Sequence, residues 1–181
     1  KPWPYFLLCT LALTFHLSAI FYFPLYFFFH KRFPRWVYIT IFLLGNIIFL
    51  AHIKFISPIL ISIAGHLGEE YEFLVEAYTE GKLSEISQGL SIGYLERVLT
   101  GVLIYCYYDK LTSMRPDNAV FINSYLAYFF MFFFFSDFSV VAGRLANLFT
   151  YFYWIIWIDL LKCFSIRNNM ILFVIFLGVY S

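Results

Sequence analysis

The chain has 181 residues, of which 62% are hydrophobic, 24% aromatic and only 13% charged. Soluble domains are typically about 45–50% apolar and about 25% charged, so 25 Phe and 15 Tyr in a chain this short cannot be screened from water by so few charges. The composition excludes an ordinary soluble domain and predicts an all-α, polytopic transmembrane helical bundle. With 12 basic against 11 acidic residues the chain carries +1, which excludes an electrostatic nucleic-acid partner.

About 20 apolar residues of helix cross a bilayer, and on that measure five to six spans are expected in a single domain over residues 1–181. The first runs over residues 4–29, contains His16 and should kink at Pro24. Lys31, Arg32 and Arg35 follow, and span two occupies residues 36–51. Residues 55–65 are apolar but too short to cross alone, which leaves an interfacial or re-entrant helix or an extension of span two. Residues 66–90 form an acidic loop with six glutamates against one lysine. Span three covers residues 91–108, a polar turn 109–118, span four 119–135, and span five 143–162 after a hinge at Ser136-Asp137-Phe138-Ser139. A sixth run starts at Met170. The chain begins at Lys1 and stops within an apolar run, so it is expected to be part of a longer protein.

Basic residues orient a membrane protein, because cytoplasmic loops carry an excess of Lys and Arg. The ends of spans one, three and five hold Lys31, Arg32, Arg35, Lys110, Arg115, Lys162 and Arg167, and the opposite side holds Lys1, Lys54, Lys82, Arg97 and Arg144. The first set is therefore expected in the cytoplasm and the acidic loop outside.

Two arginines sit where hydrocarbon should exclude them. Arg97 lies inside span three in Glu96-Arg97-Val98, and Arg144 opens span five after Gly143. Intramembrane arginines face a polar cavity or a partner, and both fall on the outer side, where they could meet as an anion site. Arginine suits that task because its planar fork grips phosphate oxygens bidentately. The plainer alternative is snorkelling or local pairing, Arg97 with Glu96 and Arg144 with Asp137. His16 is either a packed residue or a proton acceptor, while His30, His52 and His66 fall at interfaces with no expected role. Ser136 and Asp137 could cap the following helix, or Asp137 could orient Arg144 or take a proton. Gly89 and Gly93 match a small-xxx-small helix contact. Cys9, Cys106 and Cys163 read as small hydrophobes, no His/Cys/carboxylate spacing resembles a metal site, and no cofactor is expected.

In chain order these residues carry a resemblance: Leu13-Thr14-Phe15-His16-Leu17-Ser18-Ala19, an acidic outer loop, Gly93-Tyr94-Leu95-Glu96-Arg97, then Asp137-Phe138-Ser139-Val140-Val141-Ala142-Gly143-Arg144-Leu145 entering an aromatic helix. The chain resembles the C-terminal half of an EpsG-like, Wzy-type bacterial polysaccharide polymerase, over residues 5–165. The resemblance implies a membrane glycosyltransferase similar to the GT-C-like enzymes, placed in the bacterial inner membrane with its active site facing the periplasm or exterior. Its substrate would be an undecaprenyl-diphosphate-linked oligosaccharide, polymerised into O-antigen, capsule or exopolysaccharide, with a chain-length regulator protein as a further partner. Arg97 and Arg144 would hold the diphosphate, and His16 or Asp137 would take the acceptor proton. A lipid-linked glycan ligase would use the same arginines, a transporter or flippase would need a polar path through both leaflets, and an acyltransferase using His16 lacks a partner motif.

Overall fold

The computed structural model describes residues 2–70, 73, 75, 90–164, 171, 172, 174, 175 and 178. Among these residues there are nine α-helices and no strand, so the all-helical expectation holds. In chain order they are α1 (Pro2–Phe15), α2 (Tyr22–Phe29), α3 (Arg35–Leu50), α4 (Ser57–Leu67), α5 (Ile92–Cys106), α6 (Tyr108–Met114), α7 (Asn118–Phe134), α8 (Ser139–Asn147) and α9 (Thr150–Leu161). Most of the acidic loop and of the sixth apolar run lies outside the described residues.

Helix length departs from expectation. No helix among the described residues is long and apolar enough to cross a membrane. The longest, α7, has 17 residues, or about 26 Å at 1.5 Å per residue, against about 30 Å of hydrocarbon. Two of the expected spans are broken, and each break has a visible physical basis.

The first apolar run is a hairpin, not one crossing. A continuous helix would separate Tyr5 from Tyr26 by about 32 Å, yet their ring centroids are 5.1 Å apart. Phe6 meets Phe27 at 6.1 Å, and the Tyr5 hydroxyl donates to the Tyr22 carbonyl at 2.5 Å. The reversal falls at His16, followed by a 3-10 turn at Leu17–Phe21, and not at Pro24. That proline is the third residue of α2, where a helical N–H has no partner to lose. The other break divides the fifth run at Leu148 and Phe149, whose N–H groups bond three residues back, to Leu145 and Ala146. The Tyr22 hydroxyl donates to the Leu148 carbonyl at 2.8 Å, so the hairpin satisfies a backbone group that the break exposes.

Four passages therefore run along the bundle among the described residues: α3, α5, α7 and the α8–α9 pair. Helix α7 is central, because aromatic side chains surround it. Phe129 and Phe133 stack at 4.1 Å along its own surface, Phe42 of α3 stacks on Phe129 at 5.2 Å, and Tyr153 of α9 stacks on Tyr125 at 5.9 Å. Such pairs add about 0.5–1.5 kcal/mol each beyond their buried area. Span four also holds a polar residue that its aromatic character obscures. Buried Asn123 donates to the carbonyls of Phe28, Phe29 and Lys31 at 2.8–2.9 Å and accepts from the Tyr38 hydroxyl at 2.5 Å. One amide thus ties the end of α2 and the start of α3 to α7.

Several of the basic residues expected to share one side are gathered by contacts. At one end Arg35 pairs with Asp109, Arg32 donates to the Thr112 carbonyl at 3.4 Å, and Lys110 donates to the Cys163 carbonyl at 2.9 Å. Fully buried Asp159 lies between Lys162 at 2.6 Å and Arg115 at 3.4 Å. The stretch expected to be a polar turn contains helix α6 and takes part in this network. Arg167 lies outside the described residues.

Glycine permits the close approach of α3 and α7, since a Cβ at Gly45 would come within 2.7 Å of a Phe129 ring carbon. Gly45→Ala should therefore lower stability by about 1–3 kcal/mol. Gly143→Ala, where a Cβ would meet open space, should be neutral or raise stability by about 0.5–1 kcal/mol. Thermal unfolding of the two variants side by side tests this ordering.

Candidate active site

The reversal at His16 places that side chain beside α8. One face of α8, formed by Val141, Arg144 and Leu145 and continued by its C-cap Leu148, lines an open cleft of about 690 Å³, and His16 and Ala19 line it from the hairpin tip. Positions 141, 144, 145 and 148 are one helical stripe, spaced by three and four residues. A volume of this order falls in the range of small-molecule sites, about 300–1,000 Å³. Both His16 and Arg144 are exposed to the cleft. The cleft thus joins a guanidinium, which supplies a fork of donors, to an imidazole. Chain separation between the two is 128 residues, and the hairpin removes it.

Arg97 has other surroundings. Its Nε donates to the Tyr128 hydroxyl at 2.6 Å, and its guanidinium carbon lies 4.0 Å from the Phe132 ring centroid, a cation–π geometry. The Tyr125 hydroxyl donates to the Arg97 carbonyl at 2.6 Å. A Cβ at Gly93 would come within 2.9 Å of Arg97 Nη1, so Gly93 makes room for the arginine to lie back along α5 instead of serving a helix–helix contact. Gly89 lies outside the described residues. The shared two-arginine anion site expected from the sequence is therefore not formed: Arg97 does not line the cleft that holds Arg144. The reason is rotational. Tyr128 and Phe132 face α5, whereas Asn123 and Ala127 face the hairpin from the opposite flank of α7. Nor does Arg97 turn to Glu96, which is buried and accepts from the Thr100 hydroxyl at 3.2 Å.

Asp137 is a helix cap, but of α4. Its Oδ2 accepts from the Ile56 N–H at 3.0 Å, the Ser57 N–H at 2.7 Å and the Ser57 hydroxyl at 2.6 Å. The following helix, α8, has Phe138 at its N-cap and no side-chain cap. A carboxylate at a helix N-terminus satisfies unpaired donors and complements the helix dipole. With three donors on one oxygen, Asp137 anchors α4 as a separate short helix, and it is not aimed at Arg144. The alternative in which residues 55–65 extend span two is excluded by the break at residues 51–56, where His52 has φ 51°. Among the described residues no group of three His, Cys, Asp or Glu side chains is placed to hold a metal ion.

Comparison with known proteins identifies the class. The EpsG family model matches residues 1–181. The chain belongs to the EpsG family. No curated protein and no solved structure gives a significant match.

Within this EpsG-family chain, sequence reading overlooked the residues that assemble the site. Asn123 fixes the hairpin base, and Tyr5 and Tyr22 satisfy its backbone. A polar amide in the middle of an otherwise aromatic helix is the signal that would have singled out Asn123; the tyrosines carried none, being two among 15. Loss of the Asp137 cap should loosen α4 selectively. Asp137→Ala is expected to cost that helix about 2 kcal/mol, raising amide exchange across residues 56–67 with little change in α7, and Asp137→Asn should retain part of the protection. Unchanged exchange in α4 of the alanine variant would contradict the capping role.

Proposed function

We propose that this EpsG-family chain is a membrane glycosyltransferase of polymerase type, joining undecaprenyl-diphosphate-linked oligosaccharide units at the outer face of the bacterial inner membrane. Membership of the EpsG family over residues 1–181 supports a polymerase-type role in polysaccharide biosynthesis. The observation that carries the chemistry is the cleft that places Arg144 and His16 on facing elements. A diphosphate-linked sugar needs stabilisation of negative charge on the leaving oxygen and a place for the acceptor proton, and these two side chains are suited to those tasks.

In the proposed reaction the bond between the anomeric carbon of the growing chain and the diphosphate oxygen breaks. The acceptor sugar hydroxyl of the next lipid-linked unit forms the new glycosidic bond. Arg144 holds the diphosphate and stabilises the charge that accumulates as it leaves. His16 takes the hydroxyl proton and returns it to water. Arg97 contributes indirectly, by fixing α5 against the Tyr128–Phe132 face of α7. The lipid setting agrees with the exposed apolar side chains around the bundle, such as Leu11, Phe15, Leu43, Ile47, Tyr151 and Ile158, since a contiguous exposed apolar surface needs a partner or a lipid environment.

Arg144→Lys and His16→Ala, expressed at wild-type level in cells, should each slow chain growth by about a hundredfold. Surface polymer resolved by gel length should become short, and single lipid-linked units should accumulate. Normal chain lengths in both variants would overturn the assignment. Accumulation of long lipid-linked polymer instead would favour a ligase that transfers finished chains.

A further inference from the structure

At the basic end of the bundle, remote from the His16–Arg144 cleft, α3 and α5 part over α7 and leave a narrow slot of about 250 Å³. Its inner walls are apolar, with Phe42 from α3, Ile104 from α5 and Phe129 from α7. The mouth is formed by Arg35, Tyr105 and Tyr108. Gly101 lies within the slot, and a Cβ there would come within 2.5 Å of the Phe42 ring. The outer rim is open, since Leu43 and Val102 are exposed. From Arg35 to Leu43 the slot follows two turns of α3, about 12 Å of helix.

We infer that this slot is a binding site for an anionic phospholipid of the leaflet at the basic end, with one acyl chain between α3 and α5 and the headgroup phosphate at Arg35. The inference rests on the membrane setting proposed above. The chemistry of the slot changes abruptly along its length. Its interior suits only hydrocarbon, whereas its mouth carries a guanidinium supported by the rings of Tyr105 and Tyr108 at 5.9 and 5.8 Å. Arg35 is 44% exposed and is paired with Asp109 on one side only, so its remaining donors can meet a phosphate. Lys31 and Arg32 precede it by four and three residues, and the local balance is three cations against Asp109. That excess selects an anionic headgroup over a neutral one. The diphosphate carrier is a poorer occupant, because its headgroup would lie at the end of the bundle opposite Arg144.

The test uses the intact chain in vesicles of phosphatidylcholine with and without phosphatidylglycerol. Flotation establishes membrane association, and native mass spectrometry after gentle extraction then measures retained lipid. Selective retention of phosphatidylglycerol is expected. Arg35→Gln should weaken it about tenfold, the worth of one charge-assisted hydrogen bond. Val102→Trp, which fills the slot from its rim, should also lower retention, Asp109→Asn should raise it by freeing Arg35, and Lys54→Gln at the opposite end should leave it unchanged. Equal retention of both lipids, or wild-type retention in Arg35→Gln, would overturn the site while leaving the membrane reading intact. Retention of a polyprenyl phosphate lost in Val102→Trp but not in Arg35→Gln would assign the slot to the carrier tail and overturn the phospholipid. Failure of the wild-type chain to float would remove both proposals.

Discussion

Several interruptions of helix among the described residues are closed by side chains from other elements. A backbone carbonyl or N–H released at a break costs free energy unless it finds a partner, and here the partners come from neighbouring elements. The Tyr5 and Tyr22 hydroxyls serve the carbonyls of Tyr22 and Leu148. Asn123 serves three carbonyls at the corner between α2 and α3, and Asp137 serves two N–H groups at the start of α4. The architecture depends on this capture. Without it the turn of the hairpin and the division of α8 from α9 would leave backbone groups unpaired, and the cleft between the hairpin and α8 depends on both.

The proposed site follows from the breaks. A straight first helix would carry His16 along the outside of the bundle at a depth fixed by its sequence position. Folding back brings the imidazole to a tip, and the tip meets the stripe of α8 that presents Arg144. The second interruption, at Leu148, ends α8 where the Tyr22 hydroxyl can reach it, so the two walls of the cleft are bonded to each other by the residues that shape it. The aromatic surface of α7 supplies the rigid floor on which both walls rest. Arg97 lies on another flank of α7, where its guanidinium is held by Tyr128 and Phe132.

The two ends of the bundle hold their charges differently. At the basic end the cations are bound into a network, with Asp159 between Lys162 and Arg115 and with Arg35 on Asp109. Burial of Asp159 without these partners would be strongly unfavourable. Nearer the other end, Arg144 faces an open cleft. Lys162 and Arg115 are turned to that buried carboxylate, whereas Arg144 faces a cleft beside an imidazole. This contrast separates the residues that hold the bundle together from those proposed to act on substrate.

Local chemistry made much of this legible. Apolar runs marked α3, α5 and α7 to within a few residues, because burial of an unbroken apolar segment is decided by that segment alone. The short apolar piece at residues 55–65 was recognisable as too short to cross alone, with a separate helix and an extension of span two both open, and the grouping of Lys31, Arg32, Arg35, Lys110, Arg115 and Lys162 followed from the alternation of runs and basic stretches. His16 and Arg144 stood out because a titratable or charged side chain in hydrocarbon requires a reason. Pairing was another matter. Whether Arg144 would meet Arg97 or His16 depended on which flank of α7 each helix packs against. The first run turns back with its end held by the Asn123 amide of α7 and with its own Tyr22 hydroxyl reaching the Leu148 carbonyl of the fifth run. Those partners are up to 126 residues apart, and a hydrogen bond between distant segments leaves no periodicity for a sequence to display.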